Sequence, residues 1–120
     1  MTPEAKAMLA ATPGGILLRE FLEPMGISQA EFARRTGIPA SRITEIIKGR
    51  RAISAETAIA LGIFFNMEAQ FWMNLQSHYD LRRAQLEKEA ELRKRIDPLP
   101  VAAVAEDQSS YNSGKRKGST

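Results

Sequence analysis

Ser41, Thr44, Glu45 and Lys48 stand at i, i+3, i+4 and i+7. On a helix that spacing gathers two hydroxyls, a carboxylate and an ammonium on one side. Ile43, Ile46 and Ile47 stand at i, i+3 and i+4 on the other side. The segment is therefore sorted into an apolar half to bury and a polar half fit to lie in a groove. The residue types name the groove's chemistry. Ser41 can donate to or accept from a base edge, Ala40 can touch a thymine methyl, and Glu45 can accept from a cytosine N4 amine. Arg42, Lys48, Arg50 and Arg51 suit phosphates, contacts that position a protein without specifying sequence. Gln29, twelve residues before Ser41, suits a phosphate or a base.

The charge distribution agrees with a polyanionic partner. The chain has 120 residues and a net charge of +3. Residues 28–51 hold six basic and two acidic side chains, a local +4, whereas residues 52–79 hold only Glu56 and Glu68. A local basic patch of this kind is the electrostatic footprint of nucleic-acid binding. The same patch on a solvated helix face would need no partner. Glu45 argues for a specific acceptor role or a modest overall affinity, because phosphates repel a carboxylate.

The elements that must position these residues are all helical. Thr12 caps a first helix with Pro13 in its first turn, Ile16, Leu17, Phe21 and Leu22 form its stripe, and Pro24 and Gly26 stop it. Gly14 and Gly15 weaken that first turn. Ser28, with Glu31 three residues on, starts a second helix that runs to Thr36. Gly37 ends it, and Pro39 forces a turn at Ile38. A third helix runs from about Pro39 to Lys48 and ends at Gly49. Ser54 caps a fourth, which Asn66 closes. A fifth starts near Glu68 and meets no breaker before Pro98; Phe71, Trp72, Leu75 and Tyr79 form its first apolar face. Short helix, glycine turn, second helix is the helix-turn-helix arrangement. Ala33 is small where the two helices approach, and Phe32, Ile38, Ile43, Ile46 and Ile47 fall on the core side. Residues 1–11 read as a flexible leader, 12–97 as a helix-turn-helix domain with a long fifth helix, and 98–120 as a Pro/Ser/Gly-rich disordered tail.

Other chemistries lack support. With no cysteine and a single histidine, His78, thiolate and multi-histidine metal sites are excluded. A lone histidine among core aromatics reads as structural. No carboxylate pair sits in an apolar surround and no Gly-rich phosphate loop is present, so neither a catalytic residue nor a cofactor is expected. No apolar run reaches the ~18 residues of a membrane span. The start lacks a signal-peptide pattern, which points to a cytoplasmic chain without membrane attachment.

The words "LREFLEPMGISQ", "GRRAISAETA" and "FWMNLQSHYDL" within residues 14–81 resemble the HigA-type antitoxins, a branch of the phage-repressor-like (XRE) helix-turn-helix family. The resemblance implies an all-α, five-helix lambda-repressor-like DNA-binding domain with an extended C-terminal helix. It also implies a homodimer on a palindromic operator in its own promoter, and a HigB-type ribonuclease toxin as protein partner. By position, Gln29, Ala40, Ser41, Arg42, Thr44 and Glu45 match the family's DNA-facing places, and Arg50 and Arg51 its phosphate-facing loop. Three departures stand out: Thr12-Pro13-Gly14-Gly15 replaces the usual His-Pro-Gly-Glu, Glu68 replaces a serine or aspartate, and Pro39 replaces a small polar residue. Two other readings use the same residues. One is a free-standing helix-turn-helix regulator, the other a toxin-inhibiting module with weak DNA binding.

Overall fold

The computed structural model describes residues 2–3 and 11–101 of the protein. Most of the expected leader and of the expected tail lies outside the described residues. The chain divides into two units, Met1–Glu87 and Lys88–Thr120.

Among its described residues the first unit is built from helices joined by short loops. Helix α1 covers residues 13–25; α2 is Gln29–Thr36, α3 Ala40–Ile47 and α4 Ala55–Phe65. Helix α5 is Ala69–Arg95, 27 residues. The starts are set by local chemistry. The side chains of Thr12, Ser28 and Ser54 each accept a backbone N–H three residues on, from Gly15, Glu31 and Thr57. Each satisfies one of the four amides that a helix start leaves without an intrahelical acceptor.

Helix α1 departs from the sequence reading in two ways. Pro24 does not stop it; the helix continues through Glu23–Met25 and closes at Gly26. The reason lies one turn earlier, where Leu17–Leu22 is π-helical and the Glu23 N–H bonds to the Leu18 carbonyl. Proline offers no N–H and crowds the carbonyl four residues back. A widened turn just before it makes room. Gly14, for its part, is more than a weak helix former. A Cβ there would collide with the backbone carbonyl of Ile46, so the first turn of α1 lies directly against the last turn of α3.

Leu17, Leu22, Phe32, Ile38, Ile43, Ile46, Ile53, Ala58, Leu61 and Trp72 form the core. Burying each large side chain contributes roughly 1.5–3 kcal/mol before entropy is counted. Phe21 bridges Trp72 and Phe65, with ring centroids 4.9 and 5.0 Å away. Phe32 meets Phe64 edge-on at 5.1 Å. The buried face of α5 is rotated from the one expected. Trp72 and Gln76 are the buried pair, Leu75 and Tyr79 are half-buried, and Phe71 is exposed. A polar residue at a core position hid the true stripe.

In the second unit, residues 88–95 continue α5. Arg93 pairs with Glu89 at 2.7 Å, and the Ile96 N–H bonds to the Leu92 carbonyl. Leu92, Ile96, Leu99 and Val101 are exposed.

Candidate nucleic-acid interface

The turn between α2 and α3 is held by Thr36. Its hydroxyl donates to the Phe32 carbonyl at 2.7 Å and accepts the Ile38 N–H at 3.2 Å. That fixes Ile38 in the core and hands Pro39 to α3 as its N-cap, with no side chain on the first amides of the helix. Ile43 and Ile46 are 1% and 3% exposed, so α3 has one rotational setting. Its opposite side is then fixed as well. Ala40, Ser41 and Lys48 are exposed, and Arg42, Thr44 and Glu45 are half-buried with their outer faces open. Gln29 is exposed at the start of α2.

The loop after α3 is equally determined. Gly49 adopts φ +77°, which an L side chain would resist. The Gly49 N–H then bonds to the Ile46 carbonyl and the Arg50 N–H to the Glu45 carbonyl, the paired pattern of a Schellman motif. Arg51 adds a further N–H to the Glu45 carbonyl at 3.3 Å. Both arginines are exposed and leave the helix from fixed backbone positions. Arg50 turns back, with its Nη1 3.7 Å from a Glu45 oxygen. Arg42, Lys48 and Arg51 form no ion pair among the described residues. Arg35 is used internally, paired with Glu31 at 3.4 Å and lying 4.8 Å over the Phe64 ring.

All nine candidate residues thus lie on α3, at the start of α2 or in the loop after α3. Among the described residues no group of acidic side chains or histidine is arranged to hold a metal, and no helix is long and apolar enough to cross a membrane.

A helix-turn-helix family model matches residues 18–72. Virulence-associated protein I of Dichelobacter nodosus is 42% identical over 83 residues, covering 69% of this chain and 77% of the relative. Antitoxin HigA-1 of Vibrio cholerae is 34% identical over 91 residues, 74% of this chain and 83% of the relative. The solved structure of Pseudomonas aeruginosa antitoxin HigA with the higBA promoter superposes with a TM-score of 0.72 at 43% identity, covering 74% of this chain and 97% of that one. The chain belongs to the HigA-type helix-turn-helix family.

Against that HigA-type frame, the departures at the start of α1 have visible consequences. Thr12 supplies the cap by accepting the amide of Gly15, the other departure, while Gly14 keeps the family's glycine and supplies the close contact with α3. One residue of importance to the interface escaped the sequence reading. Gln76 is buried on α5; its Oε1 accepts the Ile53 N–H at 2.8 Å and its Nε2 donates to Asp80 at 2.9 Å. This bond spans 23 residues and moors the loop that holds Arg50 and Arg51. The available signal was its place four residues after Trp72, on the same helical side. A second correction concerns His78. It is exposed, not packed among core aromatics, and lines an open groove with Phe71, Leu75 and Leu81.

Proposed function

We propose that this chain is an antitoxin that binds operator DNA in its own promoter as a homodimer, represses transcription there, and neutralises a HigB-type ribonuclease toxin. The observation behind the DNA half is the fixed rotation of α3. Two buried isoleucines lock one side, so Ala40, Ser41, Thr44 and Glu45 are presented together for base edges. Arg42, Lys48, Arg50 and Arg51 surround them as phosphate contacts. Gln29 adds a contact from the start of α2. A palindromic operator follows from two-fold symmetry, because one eight-residue helix spans only a few base pairs. The toxin half rests on family membership. Its structural support is a surface apart from α3: Arg19, Glu20 and Glu23 are exposed on α1. Glu20 and Glu23 complement a basic ribonuclease and favour fast association.

The test is fluorescence anisotropy of DNA from upstream of the reading frame, with and without the co-purified neighbouring gene product. The expected result is salt-dependent, sequence-selective binding that survives addition of the partner. Absence of selective binding by the free protein would remove the repressor reading. Failure of any neighbouring product to co-purify would leave a free-standing regulator. Partner binding lost on Ser41→Ala or Arg42→Ala would place the toxin on α3 instead.

A further inference from the structure

Arg83 is absent from the set of residues drawn from the helix-turn-helix, yet the structure brings it to the same place. Gln76 ties the Ile53 amide to α5. Tyr79, Asp80 and Arg83 follow at three, four and seven residues, on the same side of that helix. They face the loop after α3 and, with Arg50 and Arg51, line one recess of about 120 Å³. Three arginines and one aspartate are among its lining residues. That aspartate, Asp80, already accepts the Gln76 amide. The two other nearby carboxylates stand outside the recess: Glu45 pairs with Arg50, and Glu87 pairs with Arg83 at 3.3 Å. Two of the three arginines thus pair with exposed carboxylates that do not line the recess, and Arg51 pairs with none among the described residues.

We propose that this recess receives a phosphate of the DNA backbone, and that Arg83 is a DNA-contacting residue on α5. Guanidinium groups match the tetrahedral oxyanion through paired N–H donors. As a guanidinium the group is cationic at every working pH, and the Glu87 hydrogen bond, its charge and the nearby Tyr79 raise the Arg83 pKa further. Its pair with Glu87 is solvent-exposed, with half of each side chain accessible. Exchange of that partner for a phosphate is therefore cheap. The contact would extend the phosphate-binding strip from the loop onto a helix that the recognition motif does not include. The inference rests on the DNA-binding reading.

The experiment measures the salt dependence of binding for the full chain on two duplexes, one from upstream of its reading frame and one of unrelated sequence. Wild type, Arg83→Gln, Arg83→Lys, Glu87→Gln and Arg51→Ala are compared. Arg83→Gln should lower the slope of log K against log salt by about 0.9 on both duplexes, as one lost phosphate contact does. It should leave the ratio of the two affinities unchanged. Arg83→Lys should restore the slope, and Glu87→Gln should tighten binding to both. If Arg51→Ala lowers the slope and Arg83→Gln does not, the Arg83 assignment is wrong. If wild type binds neither duplex, the DNA-binding reading itself fails. Inorganic phosphate at matched ionic strength supplies the remaining arm. Thermal stabilisation by phosphate that Arg83→Gln abolishes, with duplex slopes unaltered, would make this a small-anion site and overturn the DNA assignment.

Discussion

A carboxylate entering a DNA groove is repelled by phosphates unless a cation travels with it. Arg50, 3.7 Å from Glu45 and held by the Glu45 carbonyl through its own N–H, stands where it can do that. The pairing would offset phosphate repulsion at Glu45, as the proposed acceptor role toward a cytosine amine requires. It also separates Arg50 from Arg51, which has no such partner among the described residues. Glu45→Gln should change which base is preferred at one position of each half-site, by roughly 1–3 kcal/mol for a lost base contact. Arg51→Ala should weaken binding to all sequences alike and lower the salt slope by about 0.9. Competition binding against a library of single-base operator variants, repeated at several salt concentrations, separates the two. A changed preference in Arg51→Ala with an unchanged slope would show the contacts to be sorted wrongly.

The elements matter because α3 and its loop are positioned from outside the helix-turn-helix. Gly14 lets α1 approach the Ile46 carbonyl, and that contact is backbone on both sides. Gly14→Ala should therefore cost about 1–3 kcal/mol of stability, the range for overpacking, and displace the end of α3. Urea unfolding measures the first and operator affinity the second; a neutral substitution would show that the helices separate without cost. Gln76→Met keeps the side chain's length but leaves the Ile53 N–H buried and unpaired, at about 1–3 kcal/mol. Amide exchange at Ile53 should quicken, and binding to all DNA should weaken together. Unchanged exchange would mean the loop is held by other contacts. These two residues also mark where sequence reading ends. Thr12, Ser28, Ser54, Gly49 and Asn66 were legible as helix ends because capping is settled within a few residues. The buried half of α3 was legible for a similar reason, since three isoleucines at helical spacing have one side to hide. The use of Gly14 depends on a residue thirty-two positions away, and no local rule registers it. Gln76 was not legible as a core residue because its Oε1 is satisfied by a loop 23 residues earlier, which no local pattern registers. The π-helical turn of α1 was hidden because it is the helix's response to Pro24, not a preference of Leu17–Leu22.

At the scale of the molecule, operator binding should need nothing beyond Asp97. The last 23 residues are rich in Pro, Ser and Gly and poor in large apolar side chains. Truncation after Asp97 should leave thermal stability and operator affinity near wild type; a large loss of either would assign the tail a packing or DNA-binding role. The dimer is the larger commitment. Eight residues of α3 reach only a few base pairs, which is why the proposed reading pairs two copies on one operator. The most direct measurement is hydroxyl-radical footprinting of the purified protein on DNA from upstream of its own reading frame. Two protected patches related by a dyad and centred about one helical turn, ~34 Å, apart are expected, both lost together on Ser41→Ala with Glu45→Ala. A single unrepeated patch at full affinity, or protection unaffected by that double substitution, would contradict the proposed reading.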